Sequence, residues 1–195
     1  TLTLRPLQWS DADVVAQLIY DACAADGDAI LAMSADELKH EWQDPQFDIE
    51  KDAFVVHTSE GRVVGYAALT NSHAHAILNM DGNAHPDFKG RGIGTTLLRA
   101  IEKRAREIMT LAEPDVRVAL KTTISKNDAD GITLHQNEGY HPFRYHWRME
   151  IVLNGPPDEP KLPEGIELRP FIKGEHDIAV WQAQNQAFRD HPGSH

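Results

Sequence analysis

Apolar and polar positions alternate with two different periods along the first half of the chain. Leu2 and Leu4 flank Thr3 and run into Arg5-Pro6, which predicts a short strand stopped by proline. Val14, Val15, Leu18, Ile19 and Ala22 then recur at helical spacing behind Ser10-Asp11, a pair suited to capping that helix. Ser34 and Glu37 have the spacing of a capping box, so a second helix is expected through Leu38 to Trp42, ended by Pro45. Phe54 to Val56 and Val63 to Leu69 read as strands joined by the turn Glu60-Gly61-Arg62. After a turn at residues 73–75, Ala76 to Met80 leads a third strand toward Asn83. These links are too short for crossovers, so the pairing should be antiparallel.

Beyond Pro86 the period returns to that of a helix. Ile93, Leu97, Ile101, Ala105 and Ile108 form one apolar stripe, with Arg99, Lys103 and Arg106 off it, and Pro114 closes the segment. Val116 to Leu120 reads as a strand, and strand–helix–strand predicts that it lies parallel to a neighbour. Asn127 or Asp128 can cap a further helix that Gly139 terminates. Arg144 to Leu153 alternates well enough for a final strand. Residues 154–165 carry four prolines and read as a semi-rigid linker. The opening pattern then returns: Leu4-Arg5-Pro6-Leu7 as Leu168-Arg169-Pro170-Phe171 and, at the same offset, Asp13-Val14 as Asp177-Ile178. Repetition at a domain-length period divides the chain into a first domain (1–153), the linker (154–165) and the incomplete start of a second copy (166–195). So short a piece cannot bury its own apolar face, so 166–195 should pack on the first domain, on a second domain or on another chain, or stay mobile. A tandem period predicts a natural chain about twice this length.

Composition narrows the functional classes. The 195 residues hold 19 Lys and Arg against 30 Asp and Glu, a net charge of −11. Such a field repels phosphate backbones and anionic lipid, so neither nucleic acid nor a membrane surface is an expected partner. At 41% hydrophobic and 25% charged residues the chain has ordinary globular usage. Its single cysteine, Cys23, excludes an internal disulfide, fits a reducing, cytoplasmic compartment and is expected to be a buried small hydrophobe. No apolar run has the ~18 residues of a membrane span. Thr1 to Pro6 does not read as a secretory signal.

The stretch richest in chemistry is His85-Pro86-Asp87-Phe88-Lys89-Gly90-Arg91-Gly92-Ile93-Gly94-Thr95. Alternating glycines at a helix start let backbone N–H groups converge on a ligand, and the positive helix end favours an anion. Lys89, Arg91 and the Thr95 hydroxyl add charge and hydrogen bonds, and a pyrophosphate is the natural guest. The third glycine comes one residue too early for a dinucleotide fingerprint, and the Gly-Lys-Ser/Thr of a Walker loop is absent.

Ala84 to Leu98 resembles motif A of the Gcn5-related N-acetyltransferases (GNAT), Arg/Gln-x-x-Gly-x-Gly/Ala after a strand and a proline. Lys89 stands at the first position, while Gly92 and Gly94 match. The element order over residues 1–153 is similar too, as is the run from Asn127 through Leu134-His135-Gln136-Asn137-Glu138-Gly139-Tyr140 to the later motif of an Asn followed by Leu-Tyr-x-x-x-Gly-Phe. The resemblance implies an α/β fold with a mixed, mostly antiparallel sheet flanked by helices. The tandem arrangement is similar to two-domain, mycothiol-synthase-like members.

The resemblance also implies a chemistry: an amine attacks acetyl-CoA directly, and a backbone N–H steadies the oxyanion. The cofactor would then meet Asn83, Ala84, His85, Lys89, Gly90, Arg91, Gly92, Ile93, Gly94, Thr95 and Asn127, the last being equally explained as a helix cap. His135 occupies the place of the family's proton-donating Tyr, and histidine can serve there or merely sit beside the cofactor. Asp81 and His85 are the two candidates for the base, with a solvated strand-end carboxylate the plainer account of Asp81. The acceptor should be a small amine. The acidic helix with Asp36, Glu37, Glu41 and Asp44 either favours a cationic one or is simply a solvated face. His73 and His75 lack the further ligands zinc needs, so no metal is expected. The competing expectation is a CoA-binding or structural half of a tandem protein whose chemistry is done elsewhere.

Overall fold

The computed structural model describes residues 1–72 and 74–190. His73, His191 and His195 lie outside the described residues. The chain divides into two compact units, Thr1–Pro142 and a second that begins at Phe143.

The first unit is built on a five-stranded sheet in sequential order: β1 (Leu2–Pro6), β2 (Ala53–Thr58), β3 (Val63–Ser72), β4 (Ile77–Ala84) and β5 (Ala119–Thr122). The first four pair antiparallel, and β4 pairs with β5 in parallel through the helix between them, as the short and long links require. Five helices belong to this unit: α1 (Ala12–Ala25), α2 (Ala35–Trp42), α3 (Ile49–Asp52), α4 (Ile93–Met109) and α5 (Ala129–Asn137).

Alternation along the strands sends side chains to two cores, one on each face of the sheet. On one face, Tyr66 and Ala68 pack with Val15, Leu18 and Ile19 of α1 and with Leu38 and Trp42 of α2. On the other, Leu69, Leu78 and Met80 pack with Ile93, Leu97, Leu98, Ile101, Ala105 and Ile108. The stripe predicted for α4 is therefore the buried stripe. At Gly65 of β3 a Cβ would collide with Ile93 Cγ2 and lie 3.0 Å from Leu97 Cδ1, so glycine lets α4 approach the sheet.

The capping box at Ser34 forms: its hydroxyl accepts from Glu37 N–H, and the Glu37 carboxylate accepts from Ser34 N–H at 2.8 Å. Asp11 does not cap α1 with its side chain. Its carboxylate takes both Arg5 guanidinium nitrogens, at 2.7 and 2.8 Å, and the Gln8 N–H, because a bidentate charged partner outcompetes a single amide. Nor does Asp128 cap α5, since it turns to Lys89. The turn glycines Gly61 and Gly139 take the expected positive φ, 84° and 90°.

Two strand expectations need correction. The strand expected at Val116 to Leu120 begins only at Ala119, after a turn in which Asp115 has a φ of 68°. The final strand expected over 144–153 is absent, although its pattern is strongly alternating. Tyr145, Trp147, Met149 and Ile151 are exposed, and no neighbouring strand pairs with their backbone among the described residues. Alternation is a local property, whereas a strand needs a partner for its hydrogen bonds. In the second unit α6 (Asp177–Ala187) forms where the repeated helical pattern predicts a helix, while Leu168 to Phe171 form no strand.

Candidate functional site

Where β5 ends, β4 continues. The last parallel pair is Met80 with Thr122, yet β4 runs on to Ala84 against β3 alone. His85 N–H donates to Val64 C=O, so by antiparallel alternation the peptide groups of Gly82 and Ala84 turn toward the side that β5 has left. The result is an unpaired edge that offers the Ala84 N–H and backbone carbonyls to an extended ligand, the Gly82 N–H being taken by the Asp81 carboxylate.

At the end of this edge the chain passes through Pro86–Phe88 and reaches α4. Gly90 and Gly92 have φ of 75° and 79°, which L side chains rarely adopt, and open space lies where their Cβ atoms would be. Gly92 occupies the N-cap, so no side chain caps α4, and its first turn contains no acidic residue. The first N–H groups, on Ile93, Gly94 and Thr95, are thus left to an external anion. Gly94 does something else: a Cβ there would lie 2.7 Å from Leu134 Cδ2, so its smallness lets α5 pack against the loop.

Lys89 and Asn127, both expected at the cofactor, have protein partners. The Lys89 ammonium lies 2.9 Å from Asp128 and 3.8 Å from Asp26, and the Asn127 amide donates to the Asp26 carbonyl at 2.8 Å. Together they tie the glycine loop to the end of α1 and the start of α5. Burial and the Asp128 charge raise the Asp26 pKa, and Lys89 opposes them.

His85 is buried at the foot of β4. Its Nε2 lies 2.7 Å from Arg62 Nη2 and 3.6 Å from Asp21, and its Nδ1 lies 3.2 Å from Asp87 N. Both ring nitrogens are engaged within this corner, which makes the residue a strut for the loop. Asn83 lies on β4 opposite Tyr66 of β3.

Asp81 is opposite Ala68 of β3, so it shares the sheet face that carries Tyr66 and the α1–α2 core. Its side chain is exposed to solvent, although many protein atoms lie around it. Burial pushes its pKa above the usual carboxylate range, against the hydrogen bond it accepts from Gly82 N–H at 2.9 Å. Its charge reaches Cys23 of α1, Glu41 of α2 and the Tyr66 hydroxyl. Burial and Asp81 both raise the Glu41 pKa. Cys23 is partly buried rather than fully so. Among the four acidic residues Asp36, Glu37, Glu41 and Asp44, it is the electrostatic reach of Asp81 that singles out Glu41.

His135 lies on α5, and its Nδ1 donates to the Gly131 carbonyl at 2.7 Å. The ring meets Tyr140 edge-on at 5.3 Å, and Nε2 is enclosed without a hydrogen-bond partner among the described residues. No group of three or more His, Cys, Asp or Glu is gathered as for a metal ion among the described residues.

A splayed parallel pair leading into a glycine loop and an uncapped helix N-terminus is matched at the level of family. The model of the Acetyltransferase (GNAT) family matches residues 22–123, more than half of the chain. The chain belongs to the GNAT acetyltransferase family. The mycothiol acetyltransferase of Salinispora arenicola is 32% identical over 138 residues, covering 70% of this chain and 41% of its own. That of Kytococcus sedentarius is 32% identical over 137 residues, 68% and 40% of the two chains. A GCN5-related N-acetyltransferase from Sphaerobacter thermophilus superposes with a TM-score of 0.80 at 33% identity, covering 96% of this chain and 58% of that one. The fold is shared, at a TM-score of 0.54 and 20% identity, with the phosphinothricin acetyltransferase of Sinorhizobium meliloti, solved in complex with AcCoA, over 71% of this chain and 74% of that one. The chain therefore spans about two fifths of the length of the curated relatives named here. Among the described residues no helix is long and apolar enough to cross a membrane.

Proposed function

We propose that residues 1–142 bind acetyl-CoA and transfer its acetyl group to the amine of a small acceptor. The observation that carries this reading is the continuity of three features: the vacated edge of β4 at Gly82 and Ala84, the positive-φ glycines, and the uncapped first turn of α4. An extended pantetheine arm fits the first, and a pyrophosphate fits the last two. No carboxylate lies in the first turn of α4 to oppose the anion.

Asp81 acts as the base. Its raised pKa makes it a stronger base than an ordinary carboxylate, which suits the removal of a proton from an ammonium. The freed amine nitrogen bonds to the thioester carbon, and the carbonyl electron pair moves to oxygen. The Ala84 N–H, turned to the open edge, is the donor proposed for that oxyanion. The carbonyl re-forms as the C–S bond breaks, the sulfur leaves as a thiolate, and the nitrogen loses its surplus proton to solvent to give the neutral amide. A thiolate is a better leaving group than an alkoxide or an amide anion, so its departure needs only modest help. His135 is the residue proposed to protonate it, and the enclosure of Nε2 makes that contribution a minor one.

The relatives named mycothiol acetyltransferase favour a small acceptor, and the field of Asp81 and Glu41 favours a cationic one. We further propose that 154–165 is a linker and that 166–195 begins a second domain of the same family, as the repeated Leu-Arg-Pro pattern and the greater length of the relatives suggest. A soluble cytoplasmic setting accompanies this reading. The enclosed His135 nitrogen favours a second possibility, that this half binds CoA without turning it over.

Thiol release from acetyl-CoA, measured with a panel of mono- and diamines, separates the two. Amine-dependent release by this 195-residue chain is the expected result. Cofactor binding here, with turnover only in a longer chain, would assign the chemistry to the other half.

A further inference from the structure

Most arginines of the first unit face a carboxylate. Arg5 pairs with Asp11, Arg99 with Glu138, Arg104 with Asp52 and Glu107, and Arg106 with Glu102. Two that do not are brought together at one aromatic ring. The Arg62 guanidinium, from the β2–β3 turn, lies 5.3 Å from the centre of the Phe88 ring, and that of Arg91, from the glycine loop, lies 4.7 Å from it. Neither has a carboxylate within ion-pair distance among the described residues. The nearby acids turn to the imidazole instead: Asp21 lies 3.6 Å from His85 Nε2 and Asp87 3.9 Å from Nδ1. Arg62 is also held from behind, its Nη2 at 2.7 Å from His85 Nε2, and His85 meets Phe88 edge-on at 5.7 Å.

Two like charges held on one ring, in a chain of net charge −11, repel each other unless an anion joins them. The ring restrains both planar groups by cation–π contact while leaving their N–H edges available, a geometry suited to a phosphate monoester. Arg91 directly precedes Gly92, so this corner borders the α4 N-terminus without being part of it. Coenzyme A carries phosphate at two separate places, the pyrophosphate and the 3′-phosphate of its ribose. We propose that Arg62 and Arg91, steadied by Phe88 and His85, form a second anion subsite that takes the ribose 3′-phosphate, and that Arg62 is a cofactor-positioning residue. This inference rests on the acetyl-CoA reading above.

The test compares coenzyme A with dephospho-coenzyme A, which lacks only that phosphate, by calorimetric titration. The wild-type chain is expected to bind coenzyme A about tenfold more tightly or better, the worth of one or two charge-assisted hydrogen bonds. Arg62→Gln and Arg91→Gln should each reduce that ratio, and the double variant should bring it within about twofold of unity. Arg62→Lys keeps the charge and should retain part of the preference, which separates loss of the anion contact from loss of the His85 support. Far-UV circular dichroism confirms folding of each variant. Equal affinity of the wild type for the two ligands, or a preference that survives in the double variant, overturns the subsite and leaves the cofactor reading standing. Failure of the wild type to bind either ligand overturns both.

Discussion

Asp81 illustrates how much a residue's chemistry depends on what surrounds it. As a letter in the sequence it is one carboxylate among 30 acidic residues. In the fold it lies on β4, the strand that α1 contacts, and desolvation by the surrounding protein raises its pKa even though the side chain stays exposed. A carboxylate whose folded pKa exceeds its unfolded value gives stability that is full below the unfolded pKa and is lost as pH rises through the folded one. Its charged form is therefore costly to the fold and is the form that the proposed role of base requires. Asp81→Asn should lower kcat/KM about a hundredfold. It should also remove the limb in which activity falls with decreasing pH below the Asp81 pKa. Thermal melts of the same variant should show a higher Tm than wild type at pH 7, with the difference shrinking toward pH 3, where both side chains are neutral. An unchanged pH profile would remove Asp81 from the role of base. The sequence could nominate Asp81 by its place before the loop, but not weigh it against His85. The preference for Asp81 rests on Arg62, which reaches the His85 ring from the β2–β3 turn, a contact the local pattern does not reveal, together with the nearby Asp87 N–H.

Among the elements, those fixed by short-range chemistry were the most legible. The Ser34–Glu37 box, the α4 stripe and the turn glycines each depend on residues within a few positions of one another, so periodicity and spacing found them. Elements that depend on a partner were not. Residues 144–153 alternate as a strand should and form none, while β5 begins later than its β-branched run suggests. Gly65 is a related case: nothing in Val63 to Leu69 distinguishes it, yet its missing side chain is what admits Ile93. Gly65→Ala should destabilise the first unit by about 1–3 kcal/mol through overpacking between β3 and α4. Denaturant unfolding measures this, and a loss below a few tenths of a kcal/mol would mean that the helix can shift away without cost.

For the molecule as a whole, the net charge of −11 offered an early argument against polyanions. The structure refines it. Acidic groups gather around Asp81 and Glu41, whereas the glycine loop with its Arg91, the neighbouring Arg62 of the β2–β3 turn and the N-terminus of α4 form a positive corner. The proposed acceptor and donor sites thus carry fields of opposite sign on the same first unit, and the overall charge describes neither. In the proposed reading this loop holds the pyrophosphate, and the glycine that most directly opens it is Gly92 at the N-cap of α4. Calorimetric titration of acetyl-CoA into the wild-type chain and into Gly92→Glu is the most direct test of the account. A one-to-one isotherm in the wild type and a loss of affinity of about a hundredfold or more in a folded variant are predicted, because a carboxylate would stand where the pyrophosphate belongs. Equal affinity in the two proteins, or no binding by the wild type, would contradict it.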